Sequence, residues 1–486
     1  MEVTQCPKPH FVVIPWHQPH NPIVDVDVAC LLAAHGAPVT VITTPASAQL
    51  VQGRVERAGQ GSSAGITVTA IPFPAAEAGL PDGCERLDHV PSADLVPRFF
   101  DAATLFGVAV AEHCRCLVAP HRPNAIVAGI CNWAHGVAHE LGAPCLIFHG
   151  FGAFALLCSE YLSTHRPQEA VASPDEPFDL PVLPPFECKF ARRQLPVRFQ
   201  PSRNVNDDIF LEFRQFEMAV DGIVVNSFEE LEHDSAASLA AATGKAVFAV
   251  GPVSLCGAPG FLDSRAESDD ARRCMAWLDA KKAKSVLYVS FGSTGRMPPA
   301  QLMQLGLALV SCPWHVLWVI KGADSLPGDV NEWLQHSTDA DGLPGSQCLA
   351  VRGWAPHVPI LEHQAVGGFL THCGWGSTLE SVAAGVPMAT WPFFAEQFLN
   401  EKLIVDVLGV GVTKPTKSLL NGVGDEAEAE VGAEQVKRAL NKLMDGGADG
   451  EDRRSKAQEL KAKAKAALEN GGSSYTNLEK LIHFAA

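Results

Sequence analysis

Apolar and polar positions follow one another along the chain in blocks whose lengths predict strands and helices in alternation. The run Phe11-Val-Val-Ile-Pro15 predicts a buried opening strand, and helical spacing from about Ile23 to His35, closed by Gly36, predicts the helix after it. Val39-Thr-Val-Ile-Thr43 predicts the next strand and completes a βαβ start. The same alternation recurs through Ile66–Ile71, a long helical stretch near Asp101–Val118, Ala125–Val127, Pro144–His149 and Ile223–Val225. A second series predicts strands at Val286–Ser290, His315–Ile320, Cys348–Arg352 and Val366–Leu370. Strands separated by helices in this way make parallel sheets covered on both faces, so the fold class is α/β.

Two interruptions organise the blocks. Gly251-Pro, Cys256-Gly and Pro259-Gly break the pattern in quick succession, so residues 251–261 are expected to link a first domain, 1–250, to a second, 262–470. The full 486 residues are too many for one ordinary core, which agrees with two domains. Pro167–Pro201 carries many prolines and little periodicity, which fits either a plain loop or an excursion that covers a pocket. The acidic stretch Gly424–Glu430 reads as solvated surface, and Arg453–Asn470 as an exposed, lysine-laced helix.

Candidate chemistry gathers between Trp354 and Gln397. The apolar run Val366–Thr371 leads into His372-Cys-Gly-Trp-Gly-Ser377, and Thr378–Ala384 follows with helix-forming composition that ends at Gly385. Strand, glycine-rich turn and helix start together make an anion site, because the first helical N–H groups lack intrahelical partners and the dipole favours negative charge. His372 and Ser377 are donors suited to phosphate oxygens, and Glu380, one turn into the helix, is an acceptor for both hydroxyls of a ribose. Trp354 offers a flat face for a base, and Glu396-Gln397 sets acceptors and donors side by side for sugar hydroxyls. The plainer reading, a core Trp and a satisfied His, requires all of these to coincide. A second glycine turn, Phe291-Gly-Ser-Thr-Gly295, follows a strand, so that its amides and Ser293 would reach the diphosphate from the opposite side.

The stretches Trp354-Ala-Pro, Gly367-Gly-Phe-Leu-Thr-His-Cys-Gly-Trp375 and Trp391-Pro-Phe-Phe-Ala-Glu-Gln397 resemble the signature box of the plant family-one UDP-glycosyltransferases. Weaker likeness extends to Ser290-Phe-Gly-Ser293, Gly251-Pro-Val253 and Val224–Leu231. The resemblance implies a GT-B architecture, with two Rossmann-like domains facing across a cleft, the acceptor in the first and the UDP-sugar in the second. It also implies that 471–486, with a helix over Ser474–Phe484, packs back on the first domain. Carried over by position, the UDP-sugar residues are Ser293, Trp354, Ala355, His357, His372, Trp375, Gly376, Ser377, Glu380, Glu396 and Gln397, with no metal. The expected acceptor lining is apolar and aromatic, from Phe148, His149, Phe151 and Phe154.

The resemblance further implies an inverting displacement by a His base supported by an Asp. Gln18-Pro-His-Asn-Pro22 matches the family's Gln-Gly-His-x-x-Pro with one residue missing, which makes His20 the base; His17 is the second candidate, and an ungapped count back from Gly36 puts Asn21 there instead. Gly129 stands where the Asp is expected, and no Asp or Glu lies between it and His139. Inside the box Gly376 replaces an Asn and His357 a Gln. Two readings follow: a glucosyltransferase that uses UDP-glucose on a flavonoid, phenol or terpenoid, and a nucleotide-sugar-binding protein with weak or no turnover. Whether the bond formed is to O, N, S or C is open.

Composition narrows the alternatives. Hydrophobic residues make up 47%, ample for two cores, and the formal net charge of −17 without a Lys/Arg-rich run argues against nucleic acid or an anionic membrane as partner. No apolar run reaches the roughly 18 residues of a membrane span, and Met1–Pro9 lacks a signal peptide's apolar core, so a cytoplasmic monomer is expected. The 14 cysteines form no CxxC pair, so buried thiols are expected in place of zinc or disulfides. Pro15–Pro22 has no glycine for a dinucleotide fingerprint, and the GxSxG of Gly61–Gly65 precedes a strand where a nucleophile elbow would follow one.

Overall fold

The computed structural model describes residues 8–15, 23–58, 65–118, 121–180, 188–200, 207–232, 234–255, 268–292, 295–322, 326–338, 347–413 and 427–486. In chain order the strands are β1 (Phe11–Ile14), β2 (Val39–Thr43), β3 (Ile66–Ala70), β4 (Ala125–Ala128), β5 (Cys145–His149), β6 (Pro177–Leu180), β7 (Cys188–Ala191), β8 (Gly222–Val225) and β9 (Ala246–Ala249). They continue as β10 (Val286–Ser290), β11 (His315–Ile320), β12 (Cys348–Arg352), β13 (Val366–Thr371), β14 (Met388–Thr390) and β15 (Gly411–Thr413). One parallel sheet runs β3-β2-β1-β4-β5-β8-β9 and a second runs β12-β11-β10-β13-β14-β15. In each, the chain winds outward from a central strand and then restarts on its other side, the doubly wound plan. Its switch points lie between β1 and β4 and between β10 and β13.

The central strands are buried along their whole length, which is what helices on both sheet faces require of a parallel sheet. β3, at an edge, exposes its threonines more than its neighbours do. Contacts divide the chain into two units: Met1–Ala153, Pro201–Phe261 and Ala466–Ala486 form one, and Phe154–Gln200 with Leu262–Lys465 the other. Phe154–Gln200 falls inside the expected 1–250 domain yet groups with the second unit. Within it Pro167–Pro201 is more than a loop: β6 and β7 pair as an antiparallel hairpin with Phe178, Leu180 and Phe190 buried.

The first unit's core joins β1, β2, β4 and β5 to the helix Ile23–Ala34 and to Leu478, Leu481 and Ile482 of the helix Ser473–Phe484. Asn477 Nδ2 donates to Glu229 Oε1 (2.9 Å) and to the Ala249 carbonyl (3.2 Å), and Ser474 Oγ donates to the Gly251 carbonyl. Each of those three aliphatic side chains gains about 1.5–3 kcal/mol on burial, enough to fix a helix whose hydrogen bonds to the sheet are few. Asp27 and Arg54 form a buried ion pair between the helices Ile23–Ala34 and Pro45–Ala58. The helix Val96–Cys116 begins five residues before the expected Asp101, since Pro97 is tolerated in a first turn, where no intrahelical N–H is needed.

Candidate functional site

The carboxyl ends of β10 and β13 flank the second sheet's switch point. β10 runs out through Ser290 into Phe291-Gly292, and β13 through Thr371 into His372. The His372 imidazole lies between Gly292 and Gly374: a Cβ on Gly292 would come within 2.6 Å of His372 Cε1, and one on Gly374 would also strike the ring. Gly292 adopts φ +72°, so both space and backbone demand glycine there. His372 is 7% exposed, its ring held by the two turns.

The helix that follows spans Trp375–Ala384, with Gly374 as N-cap and the Thr378 amide making the first turn's bond to the Gly374 carbonyl (3.0 Å). It starts three residues before the expected Thr378. The Trp375, Gly376 and Ser377 amides therefore lie outside the helical ladder. The Trp375 amide donates to the Glu396 carboxylate, while Gly376 is exposed and Ser377 half-buried. A Cβ on Gly376 would meet nothing within 4 Å. Two amides and a hydroxyl at a helix start beside an imidazole are a set of donors for a phosphate group.

Asn400, which the sequence reading does not single out, ties this turn together. Its Nδ2 donates to the Cys373 carbonyl (2.9 Å) and to Glu396 Oε1 (3.3 Å). Cys373 (φ 63°) and Ala395 (φ 51°) both hold left-handed backbone, a strain of order 1–3 kcal/mol each that only a well-braced surrounding maintains. Burial pushes the Glu396 carboxyl up to about 7, against the pull of its own amide, that of Trp375 and Asn400. Gln397 Oε1 accepts from the Phe393 amide (2.8 Å) and the Phe394 amide (3.1 Å), so Gln397 has its NH2 to offer a ligand. The Trp375 indole is 2% exposed and belongs to the interior, which leaves its backbone as the functional part.

Ala355 is buried and Trp354 half-buried, on the segment between β12 and the helix His357–Glu362. His357 Nδ1 is 2.9 Å from the Tyr288 hydroxyl, and its Nε2 is 3.3 Å from Glu380 Oε2. Burial pushes the His357 imidazole down to about 4, so it is neutral at pH 7 even beside that carboxylate. Its ring stands edge-on to Phe369, on which Tyr288 stacks. His372, Trp375, Gly376, Ser377, Glu396 and Gln397 thus gather at one switch point, with His357, at the start of the helix His357–Glu362, beside Glu380 of the helix Trp375–Ala384. Ser293 lies outside the described residues.

So do His17, His20 and Asn21. The first sheet's switch point lies between β1 and β4. There the Gly129 amide, past the end of β4, donates to the Ile14 carbonyl (3.0 Å), so that glycine does stand beside the strand that leads to the base candidates. Asp25, in the first turn of that helix, is a carboxyl the spacing after β4 does not reveal. Burial, aided by Asp27, pushes it up to about 8, and burial, with Asp25 second, raises the Cys131 thiol on the loop after β4. Strand alternation sends Phe148 into the first core and His149 to the opposite face. His149 stacks against Phe151 with its Nε2 4.0 Å from Glu217, and Phe154 is fully buried.

Among the described residues no group of three or more His, Cys, Asp or Glu is placed to hold a metal ion, and no helix is long and apolar enough to cross a membrane. The cysteines whose side chains are described are free thiols, all buried except Cys116.

Comparison with known proteins bears directly on this arrangement. Residues 258–421 match the family described as UDP-glucoronosyl and UDP-glucosyl transferase. The chain is 38% identical to UDP-glycosyltransferase 73D1 of Arabidopsis thaliana, over 99% of this chain and 97% of the relative. It is 36% identical to UDP-glucose flavonoid 3-O-glucosyltransferase 7 of Fragaria ananassa, with the same coverage. The crystal structure of Glycyrrhiza uralensis UGT73P12 with glycyrrhetinic acid 3-O-monoglucuronide superposes with a TM-score of 0.86 at 34% identity, covering 98% of this chain and 96% of the other. Identity of this extent across both sheets and the whole His372 turn shows that the chain belongs to the plant family-one UDP-glycosyltransferases, enzymes of GT-B architecture with two Rossmann-like domains.

Proposed function

We propose that the protein transfers glucose from UDP-glucose to a small lipophilic acceptor, a flavonoid, phenol or terpenoid, with inversion at the anomeric carbon. One observation carries this reading: the His372 imidazole is seated between Gly292 and Gly374, and Gly374 caps the helix whose Gly376 and Ser377 amides lie outside the helical ladder. Those donors neutralise the diphosphate as the bond from anomeric carbon to phosphate oxygen breaks, the task that metal ions perform elsewhere. His20 takes the acceptor proton while the acceptor oxygen attacks from the opposite face of the sugar, and UDP leaves. The NH2 of Gln397 and the carboxyl of Glu396 recognise glucose hydroxyls, Trp354 stacks on uracil, and Glu380 accepts from the ribose. Domain 1–250 holds the acceptor and 262–470 the donor; the enzyme is a cytoplasmic monomer and needs no metal.

Support comes from the strawberry relative, which is named for UDP-glucose and a flavonoid, and from a Phytolacca americana structure at 26% identity and a TM-score of 0.75, solved with UDP-2fluoro-glucose and pterostilbene. UDP release from UDP-glucose on addition of a phenol, unchanged by a chelator, is expected, and His20→Ala should lower kcat by about 10²–10⁴. Silence across a broad panel of phenols, alcohols and amines would defeat the proposal. Gly129, which stands where the supporting Asp is expected, favours a second reading, a binding protein with weak turnover. Tight UDP-glucose binding by calorimetry, with no product and no effect of His20→Ala, is its signature.

A further inference from the structure

His135 and His139 stand one turn apart on the helix Ala134–Leu141, and neither belongs to the donor or acceptor residues named above. Ala134, Val137, Ala138 and Leu141 are buried along one face of that helix, which holds it in place. Gly142, in left-handed backbone, closes its last turn, with its amide donating to the His139 carbonyl (3.1 Å). Off the buried face, His135 is half-buried and His139 exposed. Their ring centroids are 6.4 Å apart with the planes inclined at 35°, and among the described residues neither imidazole is engaged in a hydrogen bond or an ion pair.

Residues four apart on a helix bring their Cβ atoms to about 5–6 Å, a spacing that lets two imidazoles reach one ion from the same side. Metal–nitrogen bonds of about 2.0–2.1 Å draw the rings closer by rotation about their side-chain bonds, a movement open to His139 at the surface. The donors decide which ion fits. Imidazole suits copper, nickel and zinc, whereas Mg2+ and Ca2+ take oxygen ligands. No third His, Cys, Asp or Glu joins the pair among the described residues, so water completes the coordination. Zn2+ sites use three or four protein ligands, and Cu2+ leads the divalent series in affinity. The net charge of −17 favours a cation.

We infer that His135 and His139 chelate one divalent transition-metal ion of the copper–nickel class on the helix Ala134–Leu141. The site goes beyond the proposed function and does not rest on it, since the ion takes no part in sugar transfer. Folding holds the two rings one turn apart, an arrangement the unfolded chain seldom visits. The ion therefore binds the native helix more tightly and stabilises the fold.

The test titrates Ni2+, which unlike Cu2+ is not reduced by thiols, into the full-length protein by calorimetry. The wild type should bind one Ni2+ that His135→Ala and His139→Ala each weaken about 10²-fold, the low end of what a second, intramolecular ligand adds. Saturating Ni2+ should raise the melting temperature of the wild type and of neither variant. In EDTA all three proteins should melt alike, as surface substitutions usually do. Binding as tight in both variants as in the wild type would place the ion on other side chains and overturn the inference. A loss in one variant alone would also overturn it, because a single imidazole is no chelate.

Discussion

At Gly376 the helix start is open on the side where an Asn would project, since an added Cβ meets no atom there. Replacement should therefore add a donor to the anion site without displacing anything, and it also removes a glycine from the first helical turn. Gly376→Asn is expected to tighten UDP-glucose about 3–10-fold, the scale of one charge-assisted hydrogen bond, read as Kd by calorimetry; an unchanged or weaker Kd would mean that the amides, and not side chains, set donor affinity. Residue types at this site were legible along the chain, because phosphate, ribose and base each require a recognisable kind of side chain. The partners of those residues were not. Asn400 meets Cys373 across 27 positions and Tyr288 meets His357 across 69, separations that no local spacing encodes. Gln397 was readable as an amide beside a carboxylate, yet its oxygen is committed to the Phe393 and Phe394 amides by a turn that only the fold displays.

Among elements, the turn from β13 into the helix Trp375–Ala384 depends on the short helix Gln397–Lys402, whose Asn400 is fully buried and bonded to both the Cys373 carbonyl and Glu396. Asn400→Ala leaves two buried acceptors short of a donor, for an expected loss of about 1–3 kcal/mol in denaturant unfolding. It also frees Cys373 from left-handed backbone, so UDP affinity should fall alongside stability; full affinity in a destabilised variant would show that the turn holds itself. β2, β10, β11 and β12 were readable residue for residue, since strands buried on both faces are continuous apolar runs. β14 and β15, three residues each, are too short to carry a period. The helix start at Trp375 escaped detection because Trp and Gly are poor helix formers and Glu396, which braces that end, comes from a later turn. In β6 the alternation of exposed and buried residues was present, but proline-rich surroundings masked it.

For the molecule as a whole, four carboxyls among the described residues are raised by burial: Asp25 to about 8, Asp27 to about 7 despite Arg54, Glu396 to about 7, and Glu401 above its usual range. Unfolded carboxyls lose their protons near pH 4, so over the interval up to 7–8 the native state binds more protons than the unfolded one and stability falls as pH rises. His357 and His10, both lowered by burial, act in the opposite sense, but only below about 6.5. Between pH 6.5 and 8.5 the carboxyls decide, and the net charge of −17 adds repulsion in the same direction. The melting temperature should therefore drop across that interval, and Asp25→Asn should flatten the slope; a flat or rising profile for the wild type would contradict the burial argument.

The helix Ser473–Phe484 carries a temporal implication as well. Asn477 bonds a strand carbonyl 228 positions upstream, and its neighbours Leu478, Leu481 and Ile482 complete the core around β1. During synthesis the sheet around β1 keeps one flank wet until Leu478, Leu481 and Ile482 have been made. A chain cut short before Ser473 would thus injure a sheet all of whose strands it still carries.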